Sequence, residues 1–198
     1  MITENRVKTS EAAQHAKERK GVYCYFVLPT GDGDKLVLFQ LPEEDFSNGG
    51  KQEGEPEVHE YLIPFAPSMI SLVSGGAKEE SDFHKDMLRE IESEAGLALQ
   101  PGDITRLSEQ PVTSTIQDRR DRGTFNILGI PFLYSVTPYG LAIAKLHAIR
   151  HKQQMVVATP AELVNNEKYQ LRPFAQTAVR VLPELMTSKT HSIAVAST

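Results

Sequence analysis

A single cysteine, Cys24, in 198 residues excludes an intrachain disulfide and any zinc site built from several cysteines. It lies in the apolar run from Val22 to Val27, where a buried structural thiol is the expectation. No apolar run approaches the roughly 20 residues of a membrane-spanning helix. The opening stretch MITENRVKTSEAAQHAKERK lacks the apolar core of a secretory signal, so a cytoplasmic protein without membrane attachment is expected. Basic excess is missing too. A net charge of −5 argues against the positive surface that coats nucleic acid, and leaves room for a small anionic ligand in a local basic pocket. Acid is absent from one long stretch, since Arg122 to Ala161 contains no Asp or Glu.

What remains is ordinary for one globular domain, at 40% hydrophobic residues and a length sufficient for one substantial core. Residues 1–20 read as an N-terminal arm or helix, 21–186 as the domain and 187–198 as a flexible tail. Gly21–Pro29 and Lys35–Leu41 are strand-like, and Gly31-Asp32-Gly33-Asp34 between them signals a hairpin turn. Residues 43–59 are acidic and poor in aliphatics, the composition of a surface loop. Further strands are expected at 60–64, 69–73, 104–112, 124–136 (broken near Pro131) and 155–158. Helices are expected at 141–151, from Pro160, and at 172–185, where Phe174, Ala178, Val181 and Leu185 share a face. This order gives an α/β or α+β domain with helices on both faces of a mixed sheet.

The most informative segment is Gly75–Leu97, GGAKEESDFHKDMLREIESEAGL. Ser81 reads as a helix N-cap and Gly96 as the stop. Met87, Leu88, Ile91 and Ala95 make an apolar stripe, and Asp86, Glu90 and Glu94 line a neighbouring one. Like charges four residues apart repel by a few tenths of a kcal/mol per pair. A solvated acidic face is one reading. The other is a site for Mg²⁺ or Mn²⁺, which take carboxylate oxygens together with phosphate oxygens. Gly75-Gly76 favours the second, because a backbone without side chains approaches a phosphate closely.

This segment resembles the signature of the Nudix hydrolase family, G-x5-E-x7-R-E-U-x-E-E-x-G-U with U a bulky aliphatic residue. Gly75, Arg89, Glu90, Ile91, Glu94, Gly96 and Leu97 match it, whereas Ser81 and Ser93 stand where glutamates are expected. The resemblance covers 23 of the 198 residues. It implies a Nudix-like α/β/α sandwich with a mixed β-sheet between helices, and Glu90 and Glu94 as metal ligands with Arg89 orienting a glutamate. It also implies hydrolysis of a diphosphate linkage in a nucleotide-like small molecule, and suggests a homodimer. Glu94 is the candidate for orienting the attacking water. With two glutamates missing, such a site holds metal weakly. The competing expectation is a catalytically inactive module of the same fold that binds a nucleotide or a protein partner.

Three other groups bear chemistry. Arg119, Arg120 and Arg122 sit in a loop before an apolar strand and suit phosphate binding, or form a charge cluster neutralised by Asp118 and Asp121. His147 and His151 have zinc-compatible spacing without an evident third ligand, so a basic helical face with Lys145, Arg150 and Lys152 is favoured. His84 reads as an exposed first-turn histidine, with a role as base the alternative.

Overall fold

The computed structural model describes residues 17–40, 69–77, 82–117, 124–165 and 168–195. Its centre is strand β1 (Lys17–Leu28), which pairs in parallel with β7 (Thr124–Ser135) from Lys17↔Phe125 to Val27↔Ser135. The other edge of β1 is shared. Its second half pairs antiparallel with β2 (Lys35–Gln40), closing the expected hairpin, and Gly21–Cys24 pair with β4 (Val73–Gly76). Strand β2 carries β3 (Ile70–Ser71) and β8 (Met155–Ala158). The outer edge of β7 is shared by β5 (Ile104–Arg106) and β6 (Val112–Gln117).

Helices cover both faces, which is why the central strands read as unbroken apolar runs. Alternation along β1 divides the core. Val22, Cys24 and Phe26 pack towards α1 (Phe83–Ala95) and α2 (Pro138–Arg150). Tyr23, Tyr25 and Val27 pack towards α3 (Pro160–Asn165) and α4 (Pro173–Val195). The buried Tyr25 hydroxyl donates to the Ala178 carbonyl at 2.6 Å, tying α4 to the strand.

Helix α1 forms and stops for local reasons. Asp82, rather than Ser81, is its N-cap, since its carboxylate accepts from the backbone N–H groups of His84 and Lys85. Met87, Ile91 and Ala95 are fully buried, and full burial is worth about 1.5–3 kcal/mol for a side chain the size of Met87 or Ile91, as an upper estimate. Gly96 ends the helix at φ 69°, donating its N–H to the Glu92 carbonyl. A Cβ there would lie 2.6 Å from Nδ1 of His147 on α2, so the stop is also a packing contact between helices.

Several expectations need correction. Strand β1 begins at Lys17, inside the expected arm, because the polar residues 17–20 find ladder partners on β7. Strand β7 runs unbroken through Pro131. Strand β6 ends its pairing at Gly129 and β5 starts at Phe132, so the missing N–H falls in a gap of the outer edge. There the Pro131 carbonyl accepts from Leu107. The expected strand 104–112 is two strands, β5 and the start of β6. Helix α4 continues past Thr187 to Val195, through most of the segment expected to be a flexible tail. The expected loop at 43–59 and strand at 60–64 lie outside the described residues. No described helix is long and apolar enough to cross a membrane.

Two measurements check these contacts. Gly96→Ala should destabilise the fold by about 1–3 kcal/mol in urea unfolding, because the backbone is left-handed and His147 blocks the methyl group. Burial, then the neighbouring His151, lowers the pKa of the His147 ring. The resulting stability is present above the ordinary histidine value of about 6.5 and is lost as pH falls through the lowered value. His147→Gln should flatten the melting-temperature profile in that acidic window.

Candidate functional site

Strand β4 and helix α1 meet along the motif. The Ser74 N–H donates to Glu94 Oε2 at 3.0 Å. One residue on, Gly75 lies under Glu90, and a Cβ at Gly75 would come 2.1 Å from Glu90 Cδ. The absent side chain is therefore the space that the Glu90 carboxylate occupies. Arg89 Nη2 donates to Glu90 Oε1 at 2.7 Å, and Arg89 Nη1 pairs with Asp86 Oδ1 at 3.3 Å. The hydrogen bond to Glu90, followed by its charge, raises the pKa of the Arg89 guanidinium. Arg89 also reaches the Gly76 carbonyl at 3.4 Å.

The acidic stripe is not a solvated face. The Asp86 and Glu90 side chains are only 9% and 19% exposed. Asp86 Oδ2 is buried without a hydrogen-bond partner, an arrangement that costs about 1–3 kcal/mol for an ordinary polar group. Two carboxylates on successive turns, beside a backbone free of side chains, fit a hard divalent ion that completes its shell with phosphate and water. Among the described residues no group of three or more His, Cys, Asp or Glu is arranged to hold a metal. The described residues supply two carboxylates to such an ion, and its remaining positions would go to other oxygens.

On the other face of β4 the structure holds a cavity of about 260 Å³, walled by Arg19, Arg172, Phe174, Ser74 and Gly75-Gly76 among others. Gly75, Gly76, Arg89, Glu90 and Glu94 are thus brought together as the sequence suggested. Arg119, Arg120 and Arg122 lie outside the described residues, as does Ser81. Ser93 is exposed. His84 is half-buried, its ring edge-on to Phe132 at 4.9 Å, rather than an exposed first-turn residue. His147 turns onto Gly96, and its ring centre lies 4.3 Å from that of His151. Sequence reasoning missed Arg19, Arg172 and Phe174. The period-two pattern of β1, which puts Arg19 on the face of Tyr23, was the available signal for the first.

Solved structures with this architecture include a mutT/nudix family protein from Listeria innocua, at 14% identity and TM-score 0.52, covering 88% of this chain and 98% of that one. Shewanella oneidensis NrtR matches at 14% identity and TM-score 0.53 over 86% of this chain, which spans only 64% of the NrtR chain. The NUDIX domain of that protein, complexed with ADP ribose, matches at 12% identity and TM-score 0.50, covering 94% and 99% of the two chains. No family model and no curated protein matches the sequence. The likeness defines the fold: this chain is a Nudix-fold α/β/α sandwich.

The glycine pair separates two effects. Gly75→Ala should push Glu90 off its seat and destabilise the protein by about 1–3 kcal/mol. Gly76→Ala, with no atom within 4 Å of the added methyl group, should leave stability nearly unchanged. Paired urea titrations, with the Arg89 side-chain NMR signal as local reporter, check both.

Proposed function

We propose that this chain is a Nudix-type hydrolase that cleaves a diphosphate linkage in a nucleotide-like substrate with Mg²⁺ or Mn²⁺, at a site weakened by the loss of two motif glutamates. The observation that carries the reading is the seating of Glu90 and Glu94 against Ser74-Gly75. The NUDIX domain of NrtR, complexed with ADP ribose, is a similar fold holding a ligand with such a linkage. Water would attack phosphorus, and the bond from that phosphorus to the bridging oxygen would break.

Each residue has a distinct part. Glu90 and Glu94 would hold the metal, which when bound neutralises phosphate charge and polarises phosphorus. Arg89 fixes Glu90 through Oε1 and offsets the repulsion between the Glu90 and Asp86 carboxylates. Asp86 anchors Arg89 from the preceding turn. Glu94, held by the Ser74 N–H, is the candidate for orienting the attacking water. The side-chain space at Gly75 is taken by Glu90, so the Gly75 backbone and the open Gly76 remain the proposed diphosphate contacts. Arg119, Arg120 and Arg122 remain proposed phosphate contacts.

A second reading, a non-catalytic binding module, is favoured by serines at positions 81 and 93 and by the lack of a three-ligand group among the described residues. A panel of nucleoside triphosphates, dinucleoside polyphosphates, nucleotide sugars and ADP-ribose, assayed with Mg²⁺ and with Mn²⁺, separates the two. The hydrolase reading expects metal-dependent turnover that falls about a hundredfold or more in Glu94→Gln. Turnover unchanged by that substitution contradicts it. Binding without product, converted to turnover by Ser81→Glu with Ser93→Glu, supports the module.

A further inference from the structure

Helix α2 carries its small residues inward and its large apolar residues outward. Gly140, Ala144 and Ala148 are buried. A Cβ on Gly140 would lie 2.4 Å from the Tyr134 hydroxyl oxygen, so no larger side chain fits there. On the opposite side Tyr139, Leu146 and Ile149 are 76%, 63% and 64% exposed, and Ala142 lies exposed between them. Of the five large hydrophobic side chains exposed among the described residues, these three share one helix. They therefore form a patch rather than the scattered singles of an ordinary surface. A helix that is apolar all round is ordinarily covered on every side.

The outward residues have the spacing of a two-stranded coiled-coil seam. Steps of three, four and three lead from Tyr139 through Ala142 and Leu146 to Ile149, along a line about 15 Å long. The line matches its own reverse. A two-fold axis perpendicular to the helix and level with Ala144 sets Tyr139 against Ile149 of a second copy, and Ala142 against Leu146 of that copy. Every contact then occurs twice, as an isologous interface requires. The alanine leaves the room that the facing leucine fills.

Charge selects the antiparallel arrangement. Lys145 and Arg150 flank the seam, and His151 and Lys152 follow it, in a stretch from Arg122 to Ala161 without Asp or Glu. Parallel pairing would stack these basic ends on one another. Antiparallel pairing sets each basic end against residues 137–142 of the other copy, which carry no charge. It also brings Arg150 towards the facing Tyr139 ring, a cation–π pairing. Lys145 meets its own counterpart near the axis, at the rim, where long stems keep the ammonium groups in water. Four seam residues and two flanking stems per copy suit the small end of protein interfaces, below about 1,200 Å² in total, where association is weak and depends on concentration.

We propose that α2 pairs with α2 of a second copy, antiparallel about a two-fold axis at Ala144, through Tyr139, Ala142, Leu146 and Ile149. The sequence resemblance suggests a homodimer without giving it a surface, and this seam supplies one. The proposal goes beyond the proposed hydrolysis and does not rest on it.

Analytical ultracentrifugation of the full chain over a micromolar concentration series tests it. The expected result is a reversible monomer–dimer equilibrium that shifts towards dimer as salt rises, because the rim is basic on both copies. Leu146→Lys should weaken dimerisation at least about tenfold, while the melting temperature at concentrations where both proteins are monomeric stays unchanged. Met186→Lys, at an exposed apolar residue of α4, should leave the equilibrium as it is. Oxidation should cross-link the double variant Ala142→Cys with Leu146→Cys into a covalent dimer. It should not cross-link Ile149→Cys, whose counterpart lies about 15 Å away across the axis, beyond the roughly 7 Å reach of a disulfide. A chain that stays monomeric throughout overturns the proposal, as does a dimer that Leu146→Lys leaves intact, that Met186→Lys breaks or that Ile149→Cys cross-links. Association weakened by salt would mean an acidic contact surface and overturn it too. A monomer that sediments with phosphatidylserine vesicles through Leu146 would give the face to a membrane surface instead and likewise overturn it.

Discussion

The Glu90 carboxyl carbon sits 2.1 Å from where a Gly75 side chain would begin, and the rest of the site follows from that one close approach. It requires α1 to lie against β4 in one rotation. The buried stripe of Met87, Ile91 and Ala95 supplies that rotation. The caps at Asp82 and Gly96 fix which turns of helix exist to be rotated. Once α1 is seated, Glu94 falls within reach of the Ser74 N–H, and Arg89 spans Asp86 and Glu90 from the outer side. The mutual repulsion of three stacked carboxylates is relieved by one arginine and one backbone donor.

Strand β4 has two working faces. Towards α1 it presents the absence of a side chain at Gly75, and towards α4 the absence of one at Gly76. The first lets a carboxylate in; the second keeps a cavity open. A short strand at the edge of β1 can do this because β2 has taken the other half of that edge, leaving β4 paired only at Gly21–Cys24.

Much of this was legible in the chain. The stripe of α1, its glycine stop, the hairpin of β1 and β2, strand β8 and the burial of Cys24 all follow from periods of 3.6 and 2 with local turn chemistry. So did the gathering of Gly75, Arg89, Glu90 and Glu94, because the motif puts them on one strand end and one helix face. What was hidden depends on partners distant in sequence. Lys17–Lys20 look like an arm until β7 provides a ladder, and Pro131 looks like a break until the gap between β5 and β6 is seen. The half-burial of His84 depends on Phe132. Arg19 and Arg172 are separated by more than 150 positions, and only folding shows that they share a cavity.

The central claim is that Glu90 and Glu94 form a metal site completed by a ligand's own phosphates. The most direct measurement is paramagnetic broadening of backbone amide signals by Mn²⁺, with and without methylenediphosphonate, a diphosphate mimic that resists hydrolysis. The account predicts broadening centred on Ser74–Gly76 and residues 90–94 only when both are present, and its loss in Glu90→Gln and Glu94→Gln. Broadening centred elsewhere, or none at these residues with both components at saturating concentration, would contradict it.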